Sequence, residues 1–185
     1  MNSRKIAIIT VLAALSIATD YALLPFFNVK FMDFIVFVGG FCFGPFAGGF
    51  IGAISWAIYG SLNPLGFSLP VWLSTMFAEA IFGIAGGLTA RFIVLPKNSS
   101  VNKDKIGTYI LFGIVSMLLT FAYDFITNIA YAYAYGINLI VAIIVGFIPF
   151  GIAHLLSNVV FFSLGCVPTI NTILKITIGE KSGNE

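Results

Sequence analysis

The chain has 185 residues, 59% hydrophobic and 9% charged, with a formal net charge of +2 and a mean hydropathy of +1.06. A soluble domain carries about 25% charged residues to cover its wet surface. This composition therefore excludes a soluble catalytic domain or a nucleic-acid-binding module and leaves a helical membrane bundle.

Five apolar runs cover 6–27, 31–60, 67–96, 106–135 and 137–170. Arg4 and Lys5 precede the first run, as in a signal peptide, and Ser16-Ile17-Ala18 is a weak cleavage-like tripeptide. The run continues through Ala22, Leu23 and Leu24, and it reads as a membrane helix rather than a removed segment. The second run is interrupted by Gly44-Pro45. Proline lacks an N–H donor and disfavours helix in the residue before it, so this run is either one kinked span or two short ones.

The positive-inside rule separates these readings. With one span, Lys30 and six of the other basic residues fall outside, leaving Arg4 and Lys5 within. With a turn at Gly44-Pro45, Arg4, Lys5, Arg91, Lys97, Lys103, Lys105, Lys175 and Lys181 all fall on the cytoplasmic side, and Lys30 alone lies outside. The second pattern predicts an all-α bundle of six transmembrane helices with both termini cytoplasmic, in a single membrane domain over 1–185. The helices are placed at 5–25, 32–43, 46–60, 68–94, 106–134 and 139–175, the last with candidate breaks at Pro149 and Pro168. Outer loops are expected at 26–31, 61–67 and 135–138, and the polar stretch 97–105 is expected to be a cytoplasmic linker. The second and third helices are short: at ~1.5 Å per residue they reach about 18–24 Å, against a ~30 Å hydrocarbon core. Their turn is expected to lie partly within the membrane, against protein.

Small residues recur at four-residue spacing. Gly40, Gly44, Gly48 and Gly52, with Gly83 and Gly87, predict close helix packing within the bundle. Ala14, Ala18 and Ala22 form a stripe on the first helix, suited to packing within the bundle or to docking an outside helix. Cys42 and Cys166 stand in apolar runs with no CxxC or Cys/His cluster. No metal, cofactor or disulfide is expected.

Ionisable groups inside a span are costly and are functional candidates by default. Glu79, Asp124, His154 and Asp20 fall within spans. Asp124, Asn128, Tyr131 and Tyr135 are spaced to share one helix face, and His154 and Asn158 stand four apart. With Trp72, Tyr123, Tyr133 and Phe150 at a similar level, these groups predict an aromatic-walled cavity with a few converging polar groups, the usual form of a small-ligand site. No GxSxG, HExxH or thiol–base pair is present, so an acid–base catalytic site is the weaker reading.

Several local patterns occur in a fixed order: Ala14-xxx-Ala18-xxx-Ala22, then Asn28-Val-Lys30-Phe-Met-Asp33, Phe43-Gly44-Pro45-xx-Gly48-xxx-Gly52, Tyr123-Asp124-xx-Thr127-Asn128, and Pro149-Phe150-xxx-His154-xx-Ser157-Asn158. Together with the size and span count, they resemble the substrate-binding S components of energy-coupling factor (ECF) transporters, over almost the whole chain. The resemblance implies a membrane-embedded subunit of a prokaryotic plasma-membrane importer that captures a vitamin or related micronutrient from outside. Its implied partners are a transmembrane scaffold subunit, docked by Ala14, Ala18 and Ala22, and two cytoplasmic ATPases. It also implies a pocket of the first loop with the fourth to sixth helices, formed by Asn28, Glu79, Asp124, Asn128, Tyr131, His154 and Asn158. A solitary secondary transporter and a small intramembrane enzyme using Glu79 or His154 are the alternatives.

Overall fold

The structure is a computed structural model that describes residues 3–63, 66–93, 100–101 and 106–182. It is all-helical: α1 (Ser3–Leu23), α2 (Met32–Phe43), α3 (Pro45–Ser61), α4 (Leu69–Phe92), α5 (Ile106–Tyr135), α6 (Leu139–Val145), a π-helical turn (Gly146–Gly151) and α7 (Ile152–Ser182). The sixth expected helix is thus α6, the π-turn and α7 in series. The break falls at Ile148, whose backbone leaves the helical region before Pro149. Pro168 lies inside the continuous α7. Of the linker 97–105, residues 100 and 101 are described and the others lie outside the described residues.

The run 31–60 is a hairpin. Gly44 ends α2 and opens α3 with φ of +96°, a conformation that side chains resist and glycine adopts freely. Pro45 occupies the first turn of α3, where its missing N–H is no loss. The 12-residue α2 is buried from Met32 through Phe41. It packs against α1, α3, α4 and α7, so it need not match the thickness of the hydrocarbon. Its amino end is closed from a distance: Asp20 Oδ1 on α1 accepts from the backbone N–H groups of Phe31 and Met32, both at 3.0 Å. A carboxylate there also complements the helix dipole.

Glycines bring α2, α3 and α4 into backbone contact. A Cβ on Gly83 would lie 2.7 Å from Gly48 Cα, and one on Gly40 would lie 3.1 Å from Gly83 Cα. Such approach supplies dispersion energy where lipid offers no hydrophobic drive.

The radial distribution of polarity is the reverse of a soluble protein's. Phe46, Phe77, Leu118 and Leu164 face outward, while Asp33, Glu79, Thr120, Asp124, His154 and Asn158 are buried. Among the described residues, four helical segments, 6–23, 69–92, 106–135 and 139–176, are long and apolar enough to span a bilayer. Chain alternation brings the connections 24–31 and 136–138, with the end of α3 and the start of α4, to one end of the bundle, here termed the loop end.

Candidate functional site

The loop end holds a cavity of about 590 Å³. The α5 face carrying Asp124, Asn128, Tyr131 and Tyr135 forms one wall, α6 and the π-turn another, and Trp56 and Thr75 a third. Asn28 and Lys30 reach it from the first connection, and His154 from α7. Gly146 and Gly151 let the π-turn close on α5: a Cβ on Gly151 would stand 3.1 Å from Asp124 Oδ2, and one on Gly146 would overlap the Asn128 amide.

His154 organises the buried side of this cavity. Its Nδ1 lies 3.0 Å from Asp124 Oδ1 on α5, and its Nε2 lies 2.6 Å from Asp33 Oδ2 on α2. Carboxylate oxygens only accept, so both contacts are hydrogen bonds when the ring carries two protons. Asn158, one turn further along α7, donates from Nδ2 to Asp33 Oδ2 at 2.5 Å and to Thr120 Oγ1 at 2.9 Å. The chain Asn158–Asp33–His154–Asp124 ties α2, α5 and α7 together and ends at the cavity wall. Asp124 Oδ2 has no hydrogen-bond partner among the described residues.

A second polar unit lies beside it. Trp56 Nε1 donates to Glu79 Oε2 at 3.1 Å, and Glu79 is fully buried. The Lys30 ammonium lies 4.4 Å from the Trp56 ring centroid and 5.3 Å from that of Tyr123. Two contacts hold the first connection across the mouth: Asn28 Nδ2 donates to Phe150 O at 2.8 Å, and the Phe27 and Phe150 rings sit 4.6 Å apart.

Of the residues read from the sequence as a pocket, Asn28, Asp124, Asn128, Tyr131 and His154 line the cavity. Glu79 and Asn158 are not in its lining: Glu79 accepts from the lining Trp56, and Asn158 donates to Asp33, which in turn bonds the lining His154. Ala14, Ala18 and Ala22 are exposed on the outer face of α1. Its inner face, Ile9, Ala13, Ser16 and Asp20, is buried, and Ser16 Oγ meets Ser55 Oγ of α3 at 2.7 Å. Asp33, named from the sequence only within the Asn28–Asp33 pattern, and Trp56 were not read as site residues. Asp33 had a signal, a lone carboxylate in the first turn of an otherwise apolar helix. Trp56 had none, since an indole in a span is usually packing or an anchor.

The chain matches the family model for the substrate-specific component of ECF transporters over residues 4–175. It belongs to that family. The protein is therefore a multi-pass membrane transport subunit, not an enzyme, and as an ECF substrate-specific component it works with a substrate and an ECF module. No curated protein and no solved structure matches the chain. Among the described residues, no group of three or more His, Cys, Asp or Glu side chains is arranged to hold a metal ion.

Proposed function

We propose that this ECF substrate-specific component captures a small, flat, vitamin-like micronutrient rich in hydrogen-bond donors or positive charge, from the outer side of the membrane. The observation that carries the reading is the cavity itself. It is aromatic-walled, about 590 Å³, and the Asp124 carboxylate is part of its lining. Rings supply area at little entropic loss, and a few fixed polar groups supply orientation. Asn28, Asp124, Asn128, Tyr131 and His154 contact the ligand in this reading, while Glu79 and Asn158 hold Trp56 and Asp33 in place behind them. Both termini and the linker 97–105 lie in the cytoplasm, and the loop end faces outward. The exposed stripe Ala14, Ala18, Ala22 docks the transmembrane scaffold subunit, which carries two ATPases. The test is native mass spectrometry of the purified protein, released from detergent, for a retained small molecule, with copurification of scaffold and ATPase subunits. A chain that retains nothing and assembles with nothing contradicts the reading.

A further inference from the structure

Lys30 is an unusual occupant of a ligand cavity. It sits two residues from the Asn28 latch, and its ammonium rests against the rings of Trp56 and Tyr123. Those rings are 6.4 Å apart by centroid and inclined at 37°. Trp56 is pinned by its indole bond to Glu79, and Tyr123 packs edge-on to His154 at 5.5 Å. Neither ring is free to follow the lysine. An ammonium has three donors, yet among the described residues Lys30 has neither a hydrogen bond nor an ion pair and is held by ring faces alone. Around it stand three buried carboxyl groups, Asp20, Asp33 and Glu79, and Asp124 lines the same cavity.

We propose that the Trp56 and Tyr123 faces form a cation subsite, which Lys30 holds until a substrate bearing a planar cationic ring displaces it. This deepens the substrate-capture reading above and rests on it. Ring faces attract cations through their quadrupole, and more strongly when desolvated. Exchanging the ammonium for a cationic ring keeps the charge balance against the carboxyls, and a planar ring also stacks. An anionic substrate would instead meet those carboxyls across a site already short of positive charge. Lys30 is thus a built-in competitor that sets both selectivity and affinity.

The chain has two tryptophans, so Trp72→Phe leaves Trp56 as its only indole. In that background the full chain in detergent is titrated with N-methylpyridinium, a planar cation that quenches indole fluorescence, and with nicotinate, an anion of similar size. N-methylpyridinium should quench saturably. Lys30→Met should lower its half-saturating concentration about tenfold, equivalent to about 1.4 kcal/mol. Lys30→Arg keeps the charge and stacks on rings more readily, so it should raise that concentration. If Lys30→Met does not fold, the arginine variant decides, and half-saturation at or below the wild-type value overturns the proposal. Unchanged or weaker binding in Lys30→Met overturns it too. Saturable nicotinate binding lost in Lys30→Met would make Lys30 an anion anchor instead. Absence of saturable quenching in all three forms also removes the subsite. A protein that fails these titrations yet still retains a neutral small molecule in native mass spectrometry keeps its capture function and loses only the cation subsite.

Discussion

His154 Nε2 lies 2.6 Å from Asp33 Oδ2, across a separation of 121 residues, and both side chains are buried. The imidazole also touches Asp124, so it stands between two carboxylates, of which Asp33 keeps a second donor in Asn158. His154→Ala should destabilise the folded chain by about 3–5 kcal/mol, the usual result of breaking a buried pair on one side. Denaturation in mixed micelles measures this. The double variant Asp33→Ala, His154→Ala should lose less than the two single losses added together, because the pair is coupled. Full additivity would show that the contact carries no energy.

Asp124→Asn and Glu79→Gln should separate a ligand contact from a support. A hydrogen bond to a charged group contributes about 1.5–3 kcal/mol, so Asp124→Asn should weaken binding of the retained ligand by about 10- to 150-fold. Glu79→Gln keeps an acceptor for Trp56 and should have a smaller effect. Isothermal calorimetry on the folded variants reads both, and equal losses would bring Glu79 to the ligand.

Ala18→Trp should abolish uptake and assembly with the scaffold while leaving ligand affinity unchanged. Ala18 is exposed on α1, away from the cavity. Copurification and calorimetry together check this. Intact assembly with weakened binding would assign the stripe to internal packing.

Gly83→Ala should destabilise the chain by about 1–3 kcal/mol, the usual penalty for an extra methyl group in a tight interface. Its Cβ would press on the backbone of Gly48, which cannot rotate away as a side chain would. Thermal unfolding in detergent is the measurement. An unchanged midpoint would mean that α3 and α4 are free to separate there.

Ser100→Cys should resist a membrane-impermeant thiol reagent in intact cells and react after permeabilisation. Ser100 is exposed, and its neighbour Val101 is clamped to α7, with Val101 N–H donating to Asn171 Oδ1 at 2.7 Å. Labelling from outside would overturn the proposed orientation.

Much of the architecture is legible in the residues themselves, because lipid imposes a local rule. Each span must satisfy its own backbone and present apolar side chains, so hydropathy marks α1, α4 and α5 directly. The bounds 32–43 emerged intact because Gly44 and Pro45 punctuate the backbone through local sterics. The α5 face of Asp124, Asn128, Tyr131 and Tyr135 followed from helical periodicity alone. What only the tertiary structure decided is pairing. Spacing places Asp124 and Asn128 on one face and His154 and Asn158 on another, yet His154 reaches Asp33 and Asp124, and Asn158 reaches Asp33 and Thr120. Asp33, Trp56 and Lys30 come together from α2, α3 and a connection, and no periodicity links them. The sequence offered breaks at Pro149 and Pro168, and the structure has one at Ile148, before Pro149, with Pro168 inside α7. Local backbone and lipid rules act within one helix and can be read along the chain; contacts between helices depend on rotation and depth, which only the assembled bundle sets.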